Sequence, residues 1–176
     1  HGLVEMLQDL SKWGSTPNEE FVAKVLAETR WKLSSFTARK LANSFRVLAR
    51  LGRSKEEQLL KDMVEETRSK LPEFNDLDLT ETLWALAVLG HDPGEEFLAE
   101  ALELAQKHFA SFKPGQLSTV LWALAELGYK PQEPLRAELV EESRKALPSC
   151  TAQELTNVLH GFAMMDHDPG EDFVAA

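Results

Sequence analysis

Four positions spaced by 38 residues carry planar side chains: Arg46, Trp84, Trp122 and His160. A guanidinium, two indoles and an imidazole are all groups on which a nucleic-acid base can stack. Three residues earlier, the same spacing gives Asn43, Glu81, Thr119 and Asn157, whose side chains can hydrogen-bond to base edges. Arg39 and Arg50 flank the first of these pairs, with Lys40 alongside, and supply cations of the kind that contact phosphate. The chemistry offered is non-covalent recognition of a single-stranded nucleic acid. The two tryptophans also sit on the flank of an apolar stripe, so filling the groove between neighbouring elements, or meeting a protein, are alternative uses for them.

Nothing in the chain assembles for catalysis. His91-Asp92 and His167-Asp168 resemble a His-Asp pair, yet each falls where a helix starts, and there Asp is explained as an N-cap. There is no HExxH, P-loop, glycine-rich dinucleotide turn or paired-cysteine metal motif, so we expect no enzyme activity, no metal and no cofactor. His108 lies in an apolar stripe and reads as a satisfied core histidine.

The positions recur because the sequence does. Leu83-Trp84-Ala85-Leu86-Ala87-Val88-Leu89-Gly90 returns as Leu121-Trp122-Ala123-Leu124-Ala125-Glu126-Leu127-Gly128, and the same step leads back to Phe45–Gly52 and Leu7–Gly14 and forward to Leu159–Asp166. A strict period of this length marks stacked supersecondary units, because one unit cannot bury its apolar face alone. The expected architecture is all-α, an α-solenoid of tandem 38-residue helix-turn-helix repeats. The divisions are 15–52, 53–90, 91–128 and 129–166 as complete repeats, 1–14 as the second helix of a partial one, and 167–176 as the start of another. Such ends read as a fragment of a longer protein.

Within each repeat, two amphipathic patterns are separated by turn signals. In the third repeat, Asp92-Pro93 reads as N-cap and first helical residue, with Thr16-Pro17, Asp168-Pro169 and Ser54-Lys55 at equivalent places. Phe97, Leu98, Ala101, Leu102, Ala105, His108 and Phe109 then follow a 3.6-residue rhythm, predicting a first helix over roughly 93–109. A corner follows at Phe112, in register with Phe36, Phe74 and Cys150. Lys113-Pro114-Gly115 opens the second helix, and Thr151-Ala152-Gln153-Glu154 has the form of a capping box at the same place. Leu117, Leu121, Leu124 and Ala125 face the core, and Gly128 ends the helix where a left-handed residue is needed. Asp166 replaces that glycine in the last repeat and should loosen its terminus. Glutamates gather in the first turns of the first helices and Lys or Arg near their ends, which suits the helix dipole.

Opposite the leucines, the second helix presents positions i, i+4, i+7 and i+11. These are Arg39, Asn43, Arg46 and Arg50; then Leu77, Glu81, Trp84 and Val88; then Gly115, Thr119, Trp122 and Glu126; and last Gln153, Asn157, His160 and Met164. A constant frame with one varying helical face is how modular readers assign a nucleotide to each repeat.

Bulk properties bound this reading. The 176 residues are 43% hydrophobic with 8 Pro and 9 Gly, an ordinary globular composition with no apolar run long enough to insert in a membrane. The single cysteine, Cys150, cannot form an internal disulfide and reads as a small core residue. The formal charge of −10 disfavours an indiscriminate polyanion binder. Residues 1–52 nevertheless hold eight bases against five acids, a net of +3, which leaves −13 for residues 53–176.

The period, the proline near the first helix, the Phe-centred corner, the Gln116-Leu117-Ser118 or Lys40-Leu41-Ala42-Asn43 opening and the Trp-Ala-Leu-Ala-x-Leu-Gly ending together resemble the octotricopeptide repeat, over essentially the whole chain. The resemblance implies an α-solenoid from a group of nucleus-encoded proteins that act on mitochondrial or chloroplast RNA, in transcript stabilisation, processing or translation. Some members carry a RAP domain. It implies single-stranded RNA as the partner, lying along the second helices of successive repeats, and residence in the mitochondrion or chloroplast. The alternative is a protein-binding scaffold subunit of an organellar assembly such as a ribosome, motivated by the acidic remainder of the chain and by Trp84 and Trp122.

Overall fold

The computed structural model describes residues 18–165. Among them lie eight α-helices and no strand: α1 (Glu19–Lys32), α2 (Ala38–Arg50), α3 (Glu57–Lys70), α4 (Asp76–Leu89), α5 (Glu95–Gln106), α6 (Pro114–Glu126), α7 (Leu135–Ala146) and α8 (Ala152–Met164). Odd-numbered helices are the first of each repeat and even-numbered ones the second. A three-residue 3-10 turn joins the two helices of every pair. This is the all-α, tandem helix-pair architecture of an α-solenoid. The readings placed on Thr16-Pro17, Asp166, His167 and Asp168-Pro169, and the partial repeats 1–14 and 167–176, lie outside the described residues.

The described residues group into two compact units, divided in the chain between Pro93 and Gly94. In the first, α1 to α4 pack together; in the second, α5 to α8. Within each unit the second helices, α2 with α4 and α6 with α8, pack far more extensively on one another than the first helices do. The reason is side-chain size. Ala42 and Ala85 are fully buried in the first unit, as are Ser118 and Ala123 in the second, and small residues let helix axes approach. The closest approach involves Gly161 in α8: a Cβ there would lie 2.8 Å from the Leu121 Cβ and 3.0 Å from its carbonyl oxygen.

The predicted core stripes are buried. Leu117, Leu121, Leu124 and Ala125 of α6, and Phe97, Leu98, Ala101, Leu102, Ala105 and Phe109 of the preceding first helix and its turn, are all 3% exposed or less. Each large apolar side chain removed from water in this way contributes about 1.5–3 kcal/mol. His108 departs from the expectation: it is exposed. The α-helix ends at Gln106 and the chain tightens into the Phe109–Ser111 turn, so the 3.6-residue rhythm no longer governs where residue 108 points.

Corners follow the Phe column in part. Phe74 and Phe112 are buried, and Phe112 meets Phe109 edge to face with centroids 5.7 Å apart. Phe36 and Cys150 are only half-buried; Cys150 is therefore not the core residue expected, and its thiol contacts the Ala146 carbonyl at 3.4 Å. Burial, aided by the Glu154 carboxylate, raises its pKa.

Helix starts divide into two classes. Second helices begin at the same place in every repeat, and the opening expected at Thr151 is found there: Thr37, Asn75 and Thr151 each accept a backbone N–H with the side chain, and the Thr151–Glu154 capping box closes with Glu154 accepting from the Thr151 N–H at 2.7 Å. Pro114 opens α6, with Gln116 accepting from the Lys113 N–H at 2.9 Å. First helices begin later than predicted. The N-cap of α5 is Gly94, not Asp92; that of α3 is Glu56, not Ser54; and α7 starts only at Leu135. After the left-handed glycine that follows α2, α4 and α6 (φ between 62° and 67° at Gly52, Gly90 and Gly128), a link of several residues precedes the next first helix, and before α5 Asp92-Pro93 falls within that link.

Candidate nucleic-acid interface

The stripes at i, i+4, i+7 and i+11 do form the solvent-facing ridge of each second helix. Arg39 and Arg50 are exposed and Asn43 and Arg46 half-buried on α2; Leu77 and Val88 are exposed and Glu81 and Trp84 half-buried on α4. In the second unit, Gly115, Thr119 and Trp122 are half-buried and Glu126 exposed on α6; Gln153 and Met164 are exposed and Asn157 and His160 half-buried on α8. Because the second helices pack side by side, two stripes lie next to one another in each unit. Trp84 and Trp122 are thus neither sealed in the core nor free.

Neighbouring stripes are also tied together, and here the structure adds what spacing alone could not show. In the first unit, Arg39 Nη1 lies 2.7 Å from Asp78 Oδ1 and 3.9 Å from Glu81 Oε2. Arg46 donates from Nη2 to Asn43 Oδ1 at 2.9 Å, and its Nε faces Glu81 Oε2 at 3.7 Å. That last separation exceeds hydrogen-bond length, and both atoms are buried without a hydrogen-bond partner. Arg39, read as a phosphate contact, and Arg46, read as a stacking surface, therefore both sit beside carboxylates of the next repeat.

The second unit uses the same positions with different chemistry. Where Arg39 reaches Asp78, Gly115 makes room for Glu154: a Cβ at residue 115 would sit 2.6 Å from Glu154 Oε1. Thr119 donates its hydroxyl to the Gly115 carbonyl at 2.6 Å, and Gln153 donates to Asn157 at 3.1 Å. Glu126 Oε1 and His160 Nε2 are 2.9 Å apart.

Asp78, 2% exposed, is the participant that the sequence reading missed. It lies on the α4 face beside Leu77, next to the stripe and not in it. Its signal was an acid one position past the period from Arg39. Among the described residues, no group of three or more His, Cys, Asp or Glu side chains is placed to hold a metal ion, and no helix is long and apolar enough to cross a membrane.

A family model described as the Tbc2 translation factor, N-terminal domain, matches residues 9–166. The chain belongs to that family. The match covers the whole of residues 15–166. No curated protein matches. Among solved structures, the chain is similar to a designed armadillo repeat protein in complex with the peptide (KR)4, at 18% identity, covering 99% of this chain and 78% of that one with a TM-score of 0.34.

Proposed function

We propose that this chain is a non-catalytic, RNA-binding segment of an organellar translation factor, built of octotricopeptide-type repeats and acting in the mitochondrion or chloroplast. The observation that supports it most is the pairing of varied stripes: in each unit, two second helices set planar and hydrogen-bonding side chains next to each other at the surface. Such a surface can stack bases on Trp84, Trp122, Arg46 and His160 and read their edges through Asn43, Thr119 and Asn157. The family's description as a translation factor supports an RNA that is to be translated.

Arg46→Glu combined with Arg50→Glu should weaken binding of single-stranded RNA by the chain and flatten its salt dependence. Unchanged affinity and salt slope would remove this surface from consideration. A second reading, a protein-binding scaffold subunit, is favoured by apolar exposure: Leu77 and Val88 are 46% and 44% exposed on either side of Trp84, and Trp31 on α1 is 85% exposed. Crosslinking of the full-length protein decides between them, since recovery of an enriched transcript excludes a purely structural role.

A further inference from the structure

We propose that the first unit selects guanine at one position of a bound single-stranded RNA, through the Glu81 carboxylate and the Arg46 guanidinium, with the base stacked on the Trp84 indole. This deepens the RNA reading and rests on it. Glu81 precedes Trp84 by three residues on α4, so the carboxylate and the indole stand one helical turn apart on one face. Arg46 approaches from α2, braced by Asn43. Both charged side chains are partly open, 27% exposed for Arg46 and 23% for Glu81.

Their mutual contact is loose. At 3.7 Å no hydrogen bond closes the pair, and Arg46 Nε and Glu81 Oε2 have no other hydrogen-bond partner. Opening the pair toward a ligand therefore breaks no hydrogen bond between the two side chains, and it gives two buried atoms, Arg46 Nε and Glu81 Oε2, the partners they lack.

The charges at the site choose among ligands. A phosphate would meet Glu81 and the nearby Asp78 and be repelled, so the group that enters is a base edge. Guanine is the base with two adjacent donors, N1–H and the N2 amino group, which match the two oxygens of a carboxylate, beside an O6 acceptor that matches a guanidinium. Adenine and cytosine turn a ring-nitrogen acceptor toward the carboxylate, and uracil offers a single N–H between two carbonyl oxygens. At the equivalent positions of the second unit stand Thr119, Trp122, Asn157 and His160, which do not recreate the carboxylate and guanidinium pair. The preference belongs to the first unit. It also reconciles base recognition with a net charge of −10, because a carboxylate that reads guanine need not contact the backbone.

The test is fluorescence-anisotropy titration of the chain with labelled oligouridine strands whose central residue is uridine, guanosine, inosine, adenosine or cytidine. Guanosine should bind tightest, by about tenfold over adenosine or cytidine, the discrimination expected of a two-bond base contact. Inosine, which lacks the N2 amino group, should fall between. Glu81→Gln, checked for folding by thermal unfolding, should bring the guanosine and inosine strands together. Equal binding of guanosine and inosine strands by the unaltered chain, or a folded Glu81→Gln variant that keeps the original ratio, overturns guanine selection and leaves RNA binding standing. Failure to bind any strand overturns the RNA reading itself.

Discussion

The two units share a scaffold and differ in what ties their paired surface helices together. In the first, α2 and α4 are joined by charge: Arg39 to Asp78, Arg46 toward Glu81. In the second, α6 and α8 are joined chiefly by close fit, with Gly115 admitting Glu154 and Gly161 lying against Leu121, and by one polar contact, Glu126 Oε1 to His160 Nε2 at 2.9 Å. Equivalent positions thus serve as ion-pair anchors in one unit and as clearances in the other. A repeat that must keep one core can vary its surface only if each variation is also compatible with the neighbouring helix, so ridge residues carry a packing duty and a recognition duty together.

Several substitutions would break or sharpen that contrast. The largest effect should come from what the units have in common: Leu83→Ala or Leu121→Ala, each removing a fully buried side chain, should destabilise its unit by about 2–5 kcal/mol in urea unfolding. The fit of the second unit is tested by Gly161→Ala. Its new methyl would press on the Leu121 backbone, and the expected loss is about 1–3 kcal/mol. The equivalent position of the first unit already carries Ala85, so Ala85→Gly there should not be stabilising.

Arg39→Ala tests the charge in the first unit. It leaves the buried Asp78 carboxylate without its cation, and the loss should be about 1–3 kcal/mol; an unfolding midpoint equal to the parent's would mean the pair carries no weight. Replacing Trp84 or Trp122 by Ala should each weaken RNA binding by about 1–3 kcal/mol if both stack a base, and a one-sided loss would assign recognition to a single unit.

A smaller, pH-dependent difference lies after the second-helix glycine, where the first unit carries Arg53 and His91 and the second Tyr129. Burial foremost, with help from Lys61, lowers the pKa of His91. The unfolded chain then binds a proton that the folded unit resists. Stability should be undiminished at neutral pH and fall as pH drops below the ordinary histidine value of about 6.5. His91→Gln should remove that part of the acid sensitivity, measured as the difference in unfolding midpoint between neutral and mildly acidic buffer. Tyr129, whose pKa is raised chiefly by burial, offers no counterpart in that range.

How much of this was legible beforehand follows from the range of each interaction. The second-helix starts at Pro114 and Thr151 were readable because a cap is settled within about four residues of chain. The first-helix starts were misplaced by two or more residues, because the link after Gly52, Gly90 and Gly128 must span a distance fixed by where two helices pack. His108 leaves the core because the helical rhythm does not continue past Gln106, where the helix stops, and Cys150 is half-buried like Phe36 in the same corner column, whose burial changes from repeat to repeat.

What the sequence determined by itself was the period, the paired helices, the leucine and alanine core and the ridge that faces solvent, all consequences of patterning that repeats within one or two turns. Tertiary packing decided the rest: that Asp78 would meet Arg39, that Glu81 would stop short of a hydrogen bond to Arg46, that Glu126 would meet His160, and that Trp84 and Trp122 would be half-buried. Each of these depends on the distance and rotation between helices a full repeat apart, which side-chain volumes at Ala85, Ala123 and Gly161 set collectively and no local window of residues contains.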